Sequence, residues 1–559
     1  NVVGGYSAAG SVDSNKVTIG SEDGALTVDA EFVAGGHSGT GAATNNTVNL
    51  RDVTFKQDTE IYGGYSDSGN VSGNNVAISG KIEGENGAVV DIYAGRSENG
   101  IADGNKITLN AGADVSKANL HGAVNGGTNN QLVIGEGVGN NSWSGTVNSI
   151  SNFSRIAFNN VKWQADGTVL TIADTANSKL TGTVVDADGV NFDATSDVNV
   201  GESMTFVAAA NGQKPIEGVS YEFGKYTVGT MYEGNLSGDA KTGVAEIETK
   251  EVASQNNLLA ENRAVAAAFV NQGSDLISDS LDTLSRDGNY GVKTFAAVYG
   301  NRSKYDVNSD IKINGWSVIA GVGSEKELQN GDFSWGVFYE NGSGNYRTYN
   351  EFNNEFFRGD GSVVYNGGGI AARYEQDNGV YTEASLRAGM LKSEMDNALK
   401  DGSGNSYGYD SDTAYYGAHI GVGKVISLTE STDLDVYGKF FHTYNDGDTV
   451  TIGNGNEYEF DSITSDRLRV GARITTNKEN KFSTYYGLAY EYEFNGDADM
   501  RVGNMRAETQ SLQGSSYMAE IGLNYQPSPE SPWSFDLNMR GYTGERQGES
   551  FNVQATYTF

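Results

Sequence analysis

The sequence predicts an all-β chain in two parts: a right-handed parallel β-helix, then a twelve-stranded antiparallel transmembrane β-barrel with an α-helix in its pore. Three observations carry that expectation. A two-anchor repeat runs through the first quarter of the chain. Period-two strands joined by turns of alternating length fill the second half. Between them lies one long helix-forming stretch, Glu251 to Arg286.

Val2-Val3-Gly4-Gly5-Tyr6-Ser7 returns as Val33-Ala34-Gly35-Gly36-His37-Ser38, Ile61-Tyr62-Gly63-Gly64-Tyr65-Ser66, Ile92-Tyr93-Ala94-Gly95-Arg96-Ser97 and, more loosely, Leu120-His121-Gly122-Ala123-Val124-Asn125. A second strand follows each copy, headed by Asn15, Asn46, Asn74, Asn105 and Asn130. The spacing of the first Gly position (Gly4, Gly35, Gly63, Ala94, Gly122) alternates between 31 and 28 residues. A repeat of this length is one coil that cannot bury its apolar face alone, so stacked coils share a core. Val2, Val33, Ile61, Ile92 and Leu120 are expected to form one buried ladder, and Val17, Val48, Val76, Ile107 and Leu132 another. The Asn of each coil suits a corner, because Asn tolerates the left-handed conformation and bonds to its neighbours along the stack. The Gly pairs suit bends that a Cβ would forbid. Residues 1–142 are assigned to these repeats. Residues 143–250 lose the repeat but keep strand-like pieces, and are read as a capping and nucleating segment, since an open stack leaves its end coil unpaired.

The second half, residues 293–559, alternates apolar and polar residues in twelve segments of about ten residues, from Phe295–Gly300 to Phe551–Phe559. Phe551, Val553, Ala555, Tyr557 and Phe559 share one face, and Asn552, Gln554, Thr556 and Thr558 the other. One face suits lipid and the other water. Connections after even strands are short, and Pro527, Pro529 and Pro532 sit together in one of them, where no ladder donor is lost. Those after strands three, five, seven and nine are read as loops of about twenty residues, the asymmetry of an outer-membrane barrel. An even strand count leaves both barrel ends on the short-turn rim, so, if the repeats lie outside the cell, the chain linking them to strand one must cross the lumen.

Residues 251–292 are assigned to that crossing. Glu251, Glu261, Arg263 and Asp275 interrupt the helix, and its longest apolar run, Ala264 to Val270, is far below the ~18 residues of a lipid-spanning helix. Leu258, Glu261, Arg263, Ala264, Ala267, Ala268 and Asn271 are the expected plug residues, thin enough to fit a narrow wet enclosure. Gly273 is expected to bend or end the helix, leaving Asp275 to Arg286 as a second piece. Inward charges at Glu340, Arg373, Glu383, Arg387, Arg469, Arg473, Glu520 and Arg540 are expected to pair with each other and with the helix carboxylates.

Composition excludes some classes. A net charge of −34 offers no basic stripe for nucleic acid, and 75 Gly with only 4 Pro suit many tight turns. No Cys is present, which is compatible with an oxidising envelope. The chain opens mid-pattern at Asn1, so an upstream part is expected.

The repeats, the segments Asn148 to Phe158 and Gly167 to Ile172, the helix around Ala268 to Leu276 and the terminal aromatic strand together resemble the monomeric autotransporters of type Va secretion. The resemblance covers the whole chain. It implies a surface passenger, a pore helix, an autochaperone-like segment and a translocator anchored in outer-membrane lipid. It also implies handling by periplasmic chaperones and insertion by the barrel assembly machinery, which reads the last strand. Phe551, Val553, Ala555, Tyr557 and Phe559 match that signal, whereas Gln554 stands where Gly is usual.

Little reactive chemistry is legible. His37 and His121 occupy positions held elsewhere by Tyr6 or Tyr93, and are read as coil side chains. No hydrolase or zinc motif is found, and no cofactor or metal is expected. Asn256 and Asn257 resemble the self-cleavage site of some autotransporters, where an Asn carboxamide attacks its own carbonyl with help from inward acids such as Glu340, Glu383 or Glu520. The passenger is read as an adhesin or interaction protein of a monomeric chain, facing a host-cell or bacterial surface receptor. The alternative is a spacer stalk for an enzymatic domain upstream of residue 1.

Overall fold

Each repeat closes into one coil of a parallel stack because its apolar residues all turn the same way. In the first coil the strands are Val2–Val3, Tyr6–Ser7, Val12–Asp13 and Lys16–Gly20, and each pairs in parallel with its counterpart one repeat later. The structure is a computed structural model. It describes residues 1–21, 24–124, 127–135, 144–180, 182–191, 198–209, 220–238, 242–285, 290–307, 309–352, 355–401, 405–452, 455–478, 481–528 and 531–559. Asn125, Arg286 and Pro529, which the repeat, helix and turn readings included, lie outside the described residues. The chain divides into two units: Asn1–Thr227 with Met231–Glu251, and Val228–Thr230 with Val252–Phe559.

In the first unit Val33, Ile61, Ile92 and Leu120 stack in register, all fully buried, with Val2 half-buried at the open end. Val17, Val48, Val76, Ile107 and Leu132 do the same on the opposite sheet. Each such side chain removed from water contributes roughly 1.5–3 kcal/mol.

The asparagines form a second ladder beside the apolar ones. Asn46 donates from its backbone N–H (2.8 Å) and from Nδ2 (2.9 Å) to Asn74 Oδ1. Asn74 makes the same pair to Asn105 at 3.1 and 2.8 Å, and Asn105 to Asn130 at 3.0 and 3.0 Å. The left-handed corner falls one residue earlier than expected, at Ser14 (φ 57°), Asn45 (54°), Gly73 (67°) and Gly104 (67°), which leaves the Asn side chain free to point along the stack. The second Gly of each pair also has a different use from the expected bend. A Cβ on Gly64 would come within 2.6 Å of the Asn74 carboxamide, and one on Gly36 within 2.6 Å of Asn46. Glycine leaves the space that the carboxamide fills.

Parallel stacking goes on in the described residues beyond 143. Ile150 sits on Leu120, Ile156 on Leu132, and Val185 on Ile156. Strands Thr168–Ile172 and Ser203–Ala209 continue it in parallel. The Gly-Asn device is lost there, but inward alternation is enough to build a coil. Larger side chains fill it: Phe158 and Phe206 meet edge to face at 5.0 Å, with Trp163 and Leu170 buried in the same core. Antiparallel Thr242–Val252 then pairs with Ser203–Ala209, covering the last parallel edge.

The second unit is a closed barrel of twelve antiparallel strands. We number them β1 (Gly291–Val307), β2 (Ser309–Leu328), β3 (Gly331–Phe352), β4 (Glu355–Gln376), β5 (Val380–Lys400), β6 (Ser406–Thr429), β7 (Thr432–Asn445), β8 (Ile463–Thr476), β9 (Phe482–Glu493), β10 (Gly514–Tyr525), β11 (Trp533–Gly544) and β12 (Arg546–Thr558). β12 pairs back onto β1 from Lys293↔Thr558 to Tyr305↔Arg546, so no edge is left. Alternation holds: Phe551, Val553 and Phe559 are exposed on the outer face, and Asn552, Gln554 and Thr556 are buried inside.

The strands β1 to β6 run to 17–24 residues rather than about ten. The Gly-, Asn- and Asp-rich segments after strands three and five, expected to be loops, keep pairing as polar hairpins; β3 and β4 stay in register out to Phe352↔Glu355. Only the connections after β7 and β9 remain long. They carry strands Asp448–Ile452, Asn456–Phe460, Met500–Val502 and Met505–Arg506, which join in one small sheet.

Asn74 both accepts from Asn46 and donates to Ala43 O (2.9 Å) and Asn105. Asn74→Ala strands several buried polar groups at once and is expected to destabilise the passenger by about 3 kcal/mol. Gly64→Ala is expected to act in the same direction by displacing that carboxamide. Urea unfolding followed by far-ultraviolet circular dichroism checks this, and a loss under about 1 kcal/mol for Asn74→Ala would mean the ladder adds no stability.

Candidate functional site: the filled pore and the aromatic flank

A 3-10 turn, Ser254–Asn256, leads into a single helix α1, Asn257–Leu284, which is buried along nearly its whole length. Alanines dominate its upper half and keep it slim; Leu258, Ala264, Ala267 and Ala268 are all buried. Leu258 and Leu259 pack with Tyr458, Phe460, Met500 and Val502, so the folded-in loops after β7 and β9 close around the helix start. Among the described residues no helix is long and apolar enough to cross a membrane.

α1 is not bent or ended at Gly273. It continues through that residue, and the glycine has another reason. A Cβ there would lie 2.5 Å from Arg387 Nη1 and 2.9 Å from Glu340 Oε2. Those two groups pair at 3.1 Å, and Arg387 Nη2 donates to the helix carbonyl of Val270 at 2.7 Å. Glycine thus lets a barrel ion pair reach the helix backbone.

The lower half of α1 is two-faced. Leu276, Ile277, Leu281 and Leu284 pack on Phe295, Tyr299, Ile319 and Phe338 of β1 to β3. Asp275, Asp279 and Asp282, at i, i+4 and i+7, face the rest of the wall. Asp275 receives Arg469 (2.8 Å), Arg546 (3.0 Å) and Arg467 (3.3 Å). Arg540 binds Asp279 at 2.6 and 2.7 Å and Glu520 at 3.2 Å. Asp282 takes Arg373, Lys439 (3.3 Å) and Arg473 (3.4 Å); Arg473 also holds Glu520 at 2.7 Å, and Lys439 holds Glu383 at 2.8 Å. Higher up, Arg263 donates to Asp446 O at 2.6 Å, Asn271 to Ser465 Oγ at 2.8 Å, and Thr348 to Glu261 at 3.5 Å. Lys293 donates to the carbonyl of Leu284 at 2.6 Å, a cation on the helix C-terminus. Gln554 reaches the Ser280 carbonyl at 3.4 Å, so this departure from Gly in the last strand makes a contact to the plug.

The structure therefore brings Glu340, Arg373, Glu383, Arg387, Arg469, Arg473, Glu520 and Arg540 into the lumen, all buried. Sequence reasoning missed Lys439, Arg467, Arg546, Glu491, Asp279 and Asp282. A signal existed for most of them: Lys439 and Arg467 keep the inward parity of their strands, and the two aspartates lie at helical spacing from Asp275. Arg546 precedes the segment read as the last strand.

Asn256 and Asn257 are set apart from these acids. Asn256 Nδ2 donates to the carbonyls of Ala253 (2.8 Å), Val228 (3.0 Å) and Gly229 (3.3 Å), and Asn257 Nδ2 donates to Glu508 at 3.1 Å. Glu340 lies beside Gly273, and Glu383 and Glu520 beside the aspartates further along α1. The carboxamide and those acids do not converge.

On the passenger, rings of neighbouring coils form a continuous cluster outside the apolar ladders, with Tyr6 exposed, His37, Tyr65, Tyr93 and His121 half-buried and Tyr62 buried beneath its neighbours. Tyr6 meets His37 at 5.1 Å, His37 meets Tyr65 at 4.9 Å, Tyr65 meets Tyr62 at 5.1 Å, Tyr62 stacks on Tyr93 at 4.9 Å, and Tyr93 stacks on His121 at 4.5 Å. The stacking distances follow the ~4.8 Å strand spacing. Arg96 lies over Tyr62 and Tyr93 and pairs with Glu98 at 2.7 Å. His121 also bonds Ser151 Oγ at 2.7 Å and Asp91 at 3.4 Å, so both ring nitrogens are engaged. The bond from His121 holds the Asp91 carboxyl below the usual range, and burial pushes the Tyr93 phenol up to about 12. The flank carries aromatic faces edged by carboxylates.

Asp275→Asn removes the charge on which three guanidinium groups converge. It is expected to loosen the plug, costing about 3–5 kcal/mol as for other broken buried pairs. Planar-bilayer recordings should then show frequent openings that the parent lacks. Unchanged conductance with an unchanged unfolding temperature would mean that this contact does not hold the helix.

Residues 294–539 match the model of the family described as Autotransporter beta-domain. The autotransporter adhesin/invasin TibA of Escherichia coli O78:H11 is 21% identical over 178 residues, which cover 31% of this chain and 18% of TibA; the matched stretch is thus under a fifth of that relative. Three solved structures resemble the barrel. The translocator domain of NalP from Neisseria meningitidis gives a TM-score of 0.40 at 13% identity, covering 53% of this chain and 99% of its own. The Bordetella BrkA beta domain gives 0.38 at 14%, covering 48% and 100%. The transport unit of AIDA-I from Escherichia coli gives 0.38 at 14%, covering 55% and 99%. Residues 294–539, most of the closed, helix-filled barrel that follows the parallel β-helix, are thus an autotransporter beta-domain, its place the outer membrane, with the β-helix at the cell surface.

Proposed function

We propose that the passenger is an adhesive surface and that the barrel exports and anchors it. The observation that carries this reading is the ring cluster from Tyr6 to His121, because aromatic faces with adjacent hydrogen-bonding carboxylates supply contact area at low entropic cost. The adhesin/invasin name of TibA supports the same reading. Export of this kind calls on periplasmic chaperones and on the barrel assembly machinery, for which the outward row Phe551, Val553, Ala555, Tyr557 and Phe559 is the recognition strand. Residues 143–250, closed by the antiparallel strand Thr242–Val252, serve as the cap and folding nucleus of the passenger.

Cells displaying the parent chain should adhere to epithelial monolayers or to one another. Replacing Tyr6, Tyr65 and Tyr93 by Ser should reduce that adherence about tenfold at equal surface display. Equal adherence at equal display sinks the reading, and favours a stalk for a domain upstream of residue 1.

The link between passenger and barrel is proposed to stay covalent. Outer membranes boiled in detergent should show one band near the 59.4 kDa of this chain plus any upstream part, and Asn256→Ala should not alter it. Two bands from the parent and one from the variant would establish cleavage at Asn256.

A further inference from the structure

The outer end of α1 begins without the cap its sequence offers. Ser254, Gln255, Asn256 and Asn257 lead into the helix, and Ser and Asn are the favoured cap residues. Asn256 stands at the N-cap, yet its side chain makes no cap bond. Three successive amides are used instead across the mouth of the barrel, each on a different part of the chain. Gln255 pairs with the backbone of Lys400, at the outer end of β5, as a neighbouring strand would: Nε2 donates to the Lys400 carbonyl at 2.8 Å, and Oε1 accepts from its N–H at 2.9 Å. The same Nε2 also reaches the carbonyl of Val228 at 3.1 Å. Asn256 Nδ2 holds the carbonyls of Val228 and Gly229, and Asn257 Nδ2 holds Glu508 in the connection after β9. Gln255 and Asn256 are fully buried. Asn256 Oδ1 has no partner, and the reverse orientation of this carboxamide would set that oxygen against three carbonyls, so Nδ2 is the atom that faces them.

The segment held by Gln255 and Asn256 is the tip of the hairpin formed by Ser220–Tyr226 and Thr230–Gly238. This tip, Val228–Thr230, belongs with the barrel and not with the β-helix. Val228 is buried in one core with Leu258, Tyr458, Met500 and Val502. A Cβ on Gly229 would lie 2.6 Å from Val502 Cγ1 and 3.1 Å from the Tyr458 hydroxyl, so glycine is what lets the tip approach. Ala253 N–H donates to the Gly229 carbonyl at 3.0 Å, joining the tip to the strand that enters the pore. Gln255, Asn256 and Asn257 are continuous with α1, so their bonds require the helix at its final depth. A slip of one helical turn, about 5.4 Å, would carry each amide off its partner.

We propose that Gln255, Asn256 and Asn257 form an end-stop: a clamp that seats Val228–Thr230 on the outer mouth, closes that mouth with a seal of its own, and fixes how far the chain is drawn through the pore. It rests on the export reading above. The contacts of Asp275, Asp279 and Asp282 hold the other half of α1, so the two ends of the helix are held separately.

The test is hydrogen–deuterium exchange on the full chain folded in detergent, read by peptide mass spectrometry, with planar-bilayer recordings of the same preparations. The variants are G229V, which leaves every amide and every barrel residue in place, and Q255A/N256A. Both should speed exchange of residues 253–262 by about tenfold or more, while residues 275–284 keep the parent rate, and both should add brief openings that the parent lacks. The heat-dependent gel shift reports that the barrel is folded. Should Q255A/N256A fail to fold, G229V and Q255A alone decide. Parent-like exchange at residues 253–262 in a folded G229V overturns the proposal. Equal acceleration along the whole helix also overturns it, since the tip would then support α1 generally and not its outer end. A parent chain that exchanges as expected but never reaches the surface of cells counts against the export reading alone.

Discussion

Lipid offers a backbone N–H or C=O no water, so every one in the spanning segment must find a partner within the protein. The barrel meets this by closing β12 onto β1, and closure has a consequence of its own: a ring of twelve strands encloses a hole. A chain that displays its own N-terminal part needs a passage and a tether, and an unfilled hole would leak. One element, α1, occupies the hole, and most of the particular features of the barrel interior follow from its presence.

A polypeptide in such a pore is held by what the wall presents to it. The wall is divided, largely apolar on β1 to β3 and cationic from Arg373 on β4 round to β12, and α1 is divided to match, with Leu276, Leu281 and Leu284 on one face and Asp275, Asp279 and Asp282 on the other. The three aspartates give Arg467, Arg469, Arg540, Arg546, Arg373, Arg473 and Lys439 partners on the helix itself. Buried ion pairs of this kind gain little net stability over apolar packing, but they penalise every wrong rotation or register of the helix. Phe269 and the alanine run set its depth and width, and the charges set its orientation. Arg387 and Arg467 go further, reaching the carbonyls of Val270 and Asn271, and Arg387 does so in the space left by the missing side chain of Gly273.

The passenger solves a different problem by stacking. Each coil is stable only against its neighbours, so whatever repeats from coil to coil is multiplied along the axis. Inside, that is the apolar ladder and the buried Asn46 to Asn130 ladder. Outside, it is the ring cluster, whose close spacing is imposed by the coils beneath it and not by the rings' own attraction. A repeat that is needed for folding on its inner face thus yields a patterned surface on its outer face.

Much of this was legible in the chain itself. Period two in β12 and its neighbours gave strands, their number and their inward and outward faces, because the side-chain period of a strand is fixed by the backbone. The repeat likewise gave the register of both apolar ladders. The purposes of the glycines were not legible: Gly64 looked like a bend and Gly273 like a break, and each proved to be space for a side chain from elsewhere, Asn74 in one case and Arg387 in the other. Nor could the sequence show that the segments after β3 and β5 stay paired, since Gly, Asn and Asp serve a polar hairpin as readily as a loop. The sequence by itself determined what is local or periodic: element type, facing and stacking order. Only the tertiary structure decided which distant groups share a space, such as Asp275 among Arg467, Arg469 and Arg546, because that depends on the closure of the barrel and the rotation of α1 within it, which no local period encodes.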